Sequence, residues 1–382
     1  MPPPTPFAAV VVAAGSGSRA GGAKQWRPLG GKPVLRWSVE ALVDAGADEV
    51  IVVIPAGTEP EATTALEGLG GWRLTVGGES RAVSVQNGLA LLSGDPDRPV
   101  LIHDAARPFL DIALIHRLAA ALSEADGALP GLPVTDSLRR AIDGRVSGGA
   151  PRDNLWRAQT PQAFRWRTIA DAYDAWPMGE LATDEATVVE RAGGRVRIVP
   201  GDPRLMKLTY PEDFAMAEAL VPRQIRVGQG FDAHRWGPGS SVWLCGVEIA
   251  HDQTLIGHSD ADAGLHALTD AILGAMGDGD IGDHFPPTDP RWKGASSDQF
   301  LSHAVERLKA RGGRLINVDV TLICEQPRVK PHRQAMRQRL AVLLSLPLDA
   351  VSVKATTTEA MGFTGRGEGL ASQALATIEL PI

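Results

Sequence analysis

The sequence predicts an α/β protein of two domains, the first built on a mostly parallel sheet. Three observations carry this. The chain has 382 residues, and one domain usually takes about 100–200. In its first part, short apolar runs end in turn signals and alternate with amphipathic stretches. Its nine histidines divide two before residue 223 and seven after, so the two parts carry different chemistry.

The elements follow in order. Ala8–Ala14, Val50–Ile54 and Val100–His103 are apolar runs of the kind a strand shows when both of its faces are buried. Val34–Ala45 and Ser84–Leu92 are amphipathic and predict helices between them. Pro211-Glu212-Asp213 opens a last helix through Leu220. The stretch VPRQIRVGQGFDAH then begins a new strand, which puts the boundary near Val221–Gln224 and predicts domains 1–222 and 223–382. No internal repeat links the two.

Composition narrows the class. Hydrophobic residues make up 44% and charged residues 22%, which excludes a largely disordered chain. No apolar run approaches the roughly 18 residues of a membrane span. The opening MPPPTPF lacks the basic stretch and long apolar core of a secretory signal. Two cysteines, Cys245 and Cys324, exclude a disulfide scaffold, fit a cytoplasmic location and predict inert packed thiols. With a net charge of -7 and no Lys/Arg block, no nucleic-acid or membrane surface is expected. Trp26, Trp37 and Trp156 are expected to pack rather than to stack on a nucleobase.

The first candidate site follows the first strand. Gly15-Ser16-Gly17-Ser18-Arg19 leads on to Lys24. In a parallel sheet, ligands sit beyond the strand C-termini. Glycine there lets backbone N–H groups approach phosphate oxygens, and Arg19 and Lys24 add positive charge. The loop is neither a P-loop nor a dinucleotide fingerprint. Asp104 ends another strand and is well placed to hold a divalent ion, with a helix or turn cap as the weaker alternative. Arg152 and Lys207 read as phosphate cations or as ordinary surface residues.

The segments AAGSGSR, AKQW, HDAARP, RAQTPQAF, TDEA and KLTYPEDF occur in this order over residues 7–220. Together they resemble 2-C-methyl-D-erythritol 4-phosphate cytidylyltransferase. The resemblance implies a Rossmann-like nucleotidyltransferase that moves CMP from CTP to methylerythritol phosphate and releases diphosphate. It implies that Ala13, Ala14, Gly15, Gly78, Ser84, Asp104 and Ala105 hold CTP with Mg²⁺. Arg19 and Lys24 then stabilise the transition state, and Arg152 and Lys207 hold the substrate phosphate. The stretch SRAGGAK is shorter than the loop this family often has there. The nucleophile is already a phosphate, so the task is positioning and charge compensation rather than proton abstraction.

The second candidate site lies in the second domain. Asp232 and His234 sit two apart after the strand Arg226–Gly228 and fall on one side of an extended chain. His258-Ser259-Asp260-Ala261-Asp262 leads into a helix expected over Ala263–Leu273, with Ser259 or Asp260 as its N-cap and His266 in its first turns. Asp, His and His with one open position is the pattern of a catalytic zinc site. Read by itself, a histidine on a helix face is more commonly a packed or surface residue.

Gly228–His234, HSDADAGLHALTDAILGA, GDIGDHFP, KATTTE and GFTGRGEG resemble 2-C-methyl-D-erythritol 2,4-cyclodiphosphate synthase over residues 225–379. This implies a smaller α/β domain, an α+β sandwich that trimerises, with active sites between neighbours. It implies Zn²⁺, or another divalent transition metal, on Asp232, His234 and His266. His258 and Thr357 then stabilise the transition state. Ser259, Asp280, Ile281, Gly282, Thr356, Thr358, Glu359, Phe363 and Arg366 bind substrate, and Mg²⁺ bridges the phosphates. Cys324–Lys330 occupies the place of the cytidine-pocket loop, with Glu325 and Arg328 departing from what that loop usually carries. Asp278 beside Asp280 reads as turn chemistry.

The two resemblances together imply a bifunctional enzyme of the non-mevalonate isoprenoid route. The kinase of the intervening step has no ATP loop here, which leaves it as a possible separate partner. Two alternatives stand against this reading. A nucleotidyltransferase for sugar 1-phosphates shares the Gly-rich loop but not the RAQTPQ and KLTYPED segments. A chain with one silent half would not keep Arg19/Lys24 and Asp232/His234/His266 together.

Overall fold

A computed structural model describes residues 6–177, 179–286, 292 and 294–382. The first residues of MPPPTPF lie outside this set. The chain divides into two compact units, Met1–Leu220 and Val221–Ile382.

The first unit is built on an eight-stranded sheet. One side of it is Pro99–Asp104, Phe7–Val12, Ala47–Ile54 and, at the edge, Trp72–Val76, all parallel. Alternate residues of each strand face opposite layers. Ala9, Val11, Val50 and Val52 pack with Leu35, Val39, Leu114 and Leu118 of helices Val34–Asp44 and Ile112–Ala121. Ala8, Val10, Ile51 and Val53 pack with Val85, Leu89, Ile169 and Val188 of helices Arg81–Leu89, Trp166–Asp174 and Glu185–Arg191. Two covered faces are why the stretches 8–12, 50–54 and 100–102 read as unbroken apolar runs.

The sequence did not mark the other half of this sheet. Gln162–Arg165, from the RAQTPQAF segment, is an antiparallel strand between Pro99–Asp104 and Gly127–Pro133. Trp156–Ala158 pairs antiparallel with Gly127–Pro133, and Val196–Pro200 pairs parallel with it. Helix Arg81–Leu89 starts three residues before the expected Ser84, because the Ser80 side chain accepts the Val83 N–H at 3.2 Å and caps it there. Trp156 lies 45% exposed on its edge strand, while the Trp37 indole donates to the Leu29 carbonyl at 2.9 Å.

The second unit carries a five-stranded sheet in the order Gln253–Leu255, Arg223–Pro238, Gly369–Pro381, Arg314–Ile323, Val351–Thr356. Only the last pair is parallel. Helices Ala263–Met276, Asp298–Ala310 and Arg333–Leu344 contribute to one core with this sheet. The strand expected at Arg226–Gly228 runs 16 residues and takes Asp232 and His234 within it. The helix expected over Ala263–Leu273 continues to Met276.

Its N-cap is Asp262, not Ser259 or Asp260. Asp262 stands directly before the first turn and is fully buried. Its carboxylate accepts N–H groups from Leu265, Cys245 and Gly246 at 3.0, 2.8 and 2.6 Å. Ser259 and Asp260 are turned instead toward His266 and Ser297.

Two glycines set how closely the long strand meets this helix. A Cβ on Gly228 would lie 2.0 Å from the Ala271 carbonyl oxygen, and one on Gly230 would lie 1.9 Å from that of Ala267. Since the helix backbone cannot move aside cheaply, Gly230→Ala should destabilise the second unit by about 1–3 kcal/mol. Urea unfolding should show this, and an unchanged midpoint would remove the close-approach explanation.

Candidate active sites

In the first unit, the ends of Phe7–Val12 and Pro99–Asp104 and the turn before Arg81 surround a cavity of about 420 Å³. Ala13, Ala14, Gly15, Lys24, Gly78, Ser84, Asp104, Ala105 and Lys207 all line it. The turn is tight. A Cβ on Gly77 would lie 2.3 Å from that of Ala14, and the Gly78 N–H donates to the Ser84 hydroxyl at 3.1 Å. Gly17 has φ +67°, and a Cβ there would lie 1.9 Å from the Gly22 carbonyl oxygen, so the loop needs glycine at that position.

Asp104 is the electrostatic centre. Arg81 Nε and Lys207 Nζ donate to its two oxygens at 3.0 and 2.7 Å. Burial alone would raise its carboxyl pKa, but these two cations outweigh it and hold Asp104 well below the usual carboxylate range. Arg81 in turn donates to both oxygens of the fully buried Glu185, at 2.6 and 3.0 Å. The Tyr173 hydroxyl donates to Glu185 at 3.0 Å. Lys24 donates to the Leu208 carbonyl at 2.8 Å, and burial followed by the neighbouring Lys207 pushes its ammonium pKa down.

Arg81, Glu185 and Tyr173 were missed from the sequence. Glu185 lay in the TDEA segment, and Arg81 in the stretch Gly77-Gly78-Glu79-Ser80-Arg81 before a helix. Nothing in the sequence said that they pair across 104 positions. Arg19 is exposed on a single turn, Ser18–Ala20, and is not among the cavity-lining residues. Arg152 is also exposed, donates to the Thr135 carbonyl, and does not line the cavity. The structure therefore brings Lys207 to the cavity but not Arg152.

Behind Asp104 sits a buried relay. Burial pushes the His103 imidazole down to about 4, so it is neutral near pH 7. Its Nε2 lies 3.0 Å from the Arg107 carbonyl oxygen, which can only accept, so that nitrogen carries the proton. Nδ1 then accepts from the Thr160 hydroxyl at 3.2 Å, and that hydroxyl accepts the Asp104 N–H at 3.0 Å.

In the second unit, the long strand places Asp232 and His234 against His266 of the helix. His234 Nε2 and His266 Nδ1 lie 2.8 and 2.9 Å from Asp232 Oδ2 and 3.2 Å from each other. Among the described residues, this trio is the group placed to share a metal ion. The surroundings fit a cation. His234 Nδ1 is 3.0 Å from the Ile256 carbonyl oxygen, which fixes the proton there and leaves Nε2 as the bare donor atom. His266 Nε2 faces the hydroxyls of Ser297 and Ser259 at 2.8 and 3.1 Å, which directs Nδ1 inward. Three electron-rich atoms this close need a positive charge between them. Protonated imidazoles can supply that charge, and donating to Asp232 they hold its carboxyl well below the usual carboxylate range despite burial.

The other expected residues form two further groups. Asp280 caps the short helix Ile281–His284 through a reciprocal capping box with Asp283, and the Ile281 N–H donates to Asp270 at 2.9 Å. Asp278 pairs with Arg307. Thr356 ends an edge strand, and the Thr357 hydroxyl donates to Glu359 at 3.1 Å. The Thr358 hydroxyl donates to the Met361 carbonyl at 2.7 Å. Phe363 and Gly365 belong to a short helix after this turn, and Arg366 pairs with Glu368 at 2.7 Å. His258 is exposed, and its carbonyl accepts the Gly294 N–H at 2.7 Å. Burial pushes both cysteine thiols up, Cys324 to about 11, as expected of inert thiols.

A cation-lined cleft on one α/β sheet and a three-residue metal-ligand group on a second sheet are two candidate sites for enzyme chemistry on anions. A family model for 2-C-methyl-D-erythritol 4-phosphate cytidylyltransferase matches residues 7–223, and one for the YgbB family matches residues 225–379. The bifunctional enzyme IspD/IspF of Caulobacter vibrioides is 66% identical over 380 residues, covering 98% of this chain and 99% of the relative. That of Erythrobacter litoralis is 52% identical, covering 99% and 97%. The solved structure of bifunctional IspDF from Campylobacter jejuni matches with a TM-score of 0.52 and 31% identity, covering 98% of this chain and 99% of that one.

The chain belongs to the bifunctional IspD/IspF family. It combines a cytidylyltransferase with a 2-C-methyl-D-erythritol 2,4-cyclodiphosphate synthase of isoprenoid biosynthesis. The sugar 1-phosphate alternative is overturned by the family match across residues 7–223. No helix of the described residues is long and apolar enough to cross a membrane.

The His103 relay carries a pH dependence. The unfolded imidazole binds a proton near 6.5, and the buried one resists it until about 4. Stability that His103 contributes at pH 7 should therefore fall away as pH drops through that window. Urea titrations at pH 7 and 5 should show a larger loss for the wild type than for His103→Gln. Equal losses would remove His103 as the source.

Proposed function

We propose that the cavity around Asp104 binds CTP, and that the metal trio and the Thr356–Glu359 turn act on the diphosphate of a cytidine-linked substrate. The observation that carries this is the pairing of opposite solutions to one problem. The first site gathers cations around a carboxylate, and the second gathers metal-ligand atoms around another.

In the first reaction, an oxygen of the methylerythritol 4-phosphate attacks the α-phosphorus of CTP, and the bond to diphosphate breaks. Ala13, Ala14, Gly15, Gly78, Ser84 and Ala105 surround the nucleotide. Lys24 and Arg19 offset the charge that gathers on the phosphates, and Lys207 with Arg152 holds the incoming phosphate. Arg152 and Arg19 lie on exposed segments, so they reach the phosphates by loop movement or from another copy. Asp104 keeps lone pairs beyond those used by Arg81 and Lys207, and Mg²⁺ would bind there.

In the second reaction, the 2-phosphate of 4-CDP-2-C-methyl-D-erythritol 2-phosphate attacks the β-phosphorus. The bond to CMP breaks, and the ring closes. Asp232, His234 and His266 would hold Zn²⁺, which supplies a Lewis acid toward the diphosphate when bound. Ser259 and Ser297 orient His266. Asp280, Ile281 and Gly282 bind the erythritol chain, while Thr356, Thr358, Glu359, Phe363 and Arg366 help bind the substrate. His258 and Thr357 act on the transition state, and a second divalent ion, Mg²⁺, would offset the charge of the phosphates there. Holding both phosphates in one geometry can contribute about 7–11 kcal/mol.

Two observations support a three-fold assembly through the second unit. Thr356 and Ala233 lie in one row of the sheet with three strand spacings between them, roughly 14 Å. The sheet face away from the helices leaves Ile225, Val227, Phe231 and Leu375 exposed. A second and third copy would cover that face and bring a threonine turn to a neighbour's metal trio. The domains would be 1–222 and 223–382, the location cytoplasmic, and the intervening kinase a transient partner. Sedimentation of the purified chain should show a trimer or a multiple of it. A monomer would sink the shared-site reading, and no faster species on adding the kinase would sink that association.

Asp232→Asn should abolish the cyclic product and lower bound zinc while leaving cytidylyl transfer within about twofold of the wild type. Mass spectrometry of both products with metal analysis checks this. Equal loss of both activities in a folded variant would refute two independent sites.

A further inference from the structure

Glu325 stands in the loop where a nucleotide contact is expected, yet its carboxylate is engaged elsewhere. Strands Arg314–Ile323 and Val351–Thr356 are parallel neighbours with Ile323 opposite Thr356, so both chains leave the sheet at the same end. The Cys324 N–H still donates to the Thr356 carbonyl at 3.1 Å. One residue later, Glu325 Oε1 accepts the N–H groups of Thr358 and Ala360, at 3.1 and 3.4 Å.

That turn is costly to hold. Glu359 and Ala360 have φ +54° and +62°, left-handed values that side-chain-bearing residues adopt reluctantly. Backbone N–H groups that converge in this way form a concavity suited to an anion. Glu325 supplies the anion from within the chain. The turn's other side is tied by the Thr358 hydroxyl, which lies 3.0 Å from that of Thr364. It is also backed closely by the following short helix, where a Cβ on Gly365 would lie 2.3 Å from the Ala360 carbonyl carbon.

We propose that Glu325 is a positioning residue for cyclisation: its carboxylate fills the N–H concavity of the Thr357–Ala360 turn and holds the Thr357 hydroxyl and the Glu359 carboxylate where the diphosphate meets them. This rests on the reading that the Thr356–Glu359 turn handles the diphosphate. Because the concavity is filled from within the chain, substrate phosphate does not bind those N–H groups and is left to the side chains of the turn. What matters is an acceptor oxygen at that point, more than the negative charge itself.

Two variants of equal length separate these roles. Glu325→Gln keeps an acceptor oxygen, and Glu325→Met removes it. In the full chain, E325M should lower kcat for cyclisation by about tenfold or more with a smaller change in KM. E325Q should stay within about threefold of the wild type. Cytidylyl transfer by the same chain should be unchanged in both. Turnover by E325M equal to the wild type, or equal losses in E325M and E325Q, would overturn the proposal. If E325M does not fold, the smaller Glu325→Ala makes the same comparison with E325Q. Thr357→Ala tests the underlying reading by itself. If it leaves cyclisation intact, that reading fails; if it is slow while E325M is normal, only the role of Glu325 fails.

Discussion

A carboxylate withdrawn from water has to be paired, and each half of this protein is organised by one such pairing. In the first unit, Asp104 ends a fully covered strand and is held by Arg81 and Lys207. In the second, Asp232 lies within a strand and is held by two imidazoles. An unpaired charge in either place would cost several kcal/mol or would take up a proton. Arg81, Lys207 and His266 come from remote segments, and through Arg81 and His266 the pairing ties each sheet to a helix. It also leaves local charge where phosphates arrive. Arg81 cannot serve Asp104 without its own second carboxylate, and the buried Glu185 with Tyr173 completes that chain.

Packing decides whether such pairs are within reach. The second site exists because a strand and a helix approach at backbone distance. Gly228 and Gly230 permit that approach, four and two residues before Asp232. Side chains at those positions would push His266 away from the other two ligands. In the first unit, Gly77 plays a similar part by letting the turn before Ser80 close onto Ala14.

Much of this was legible in the linear chain, and the physical basis differs from element to element. Strands Phe7–Val12, Ala47–Ile54 and Pro99–Asp104 announce themselves because the stretches 7–12, 50–54 and 100–102 within them are apolar and covered on both faces. Helix Pro211–Leu220 was placed by its opening proline and acidic first turn. The RAQTPQAF strand went unseen, since its polar residues satisfy buried partners instead of facing solvent. The Gln162 side chain, for example, accepts the Ala186 N–H and donates to Asp184. The cap of helix Ala263–Met276 was misplaced among four polar candidates, because the choice depended on which one the chain buried.

By itself, the sequence determined the family, the two chemistries and the residue types each needs. Those follow from short ordered motifs and from periodicity, which are local properties. Only the tertiary structure decided that Arg81 meets Glu185, that Arg152 stays away from the cleft within one chain, and that Glu325 turns toward the threonines. These depend on which loops leave the sheet side by side and how deeply each charge is buried. Spacing along a chain does not encode that.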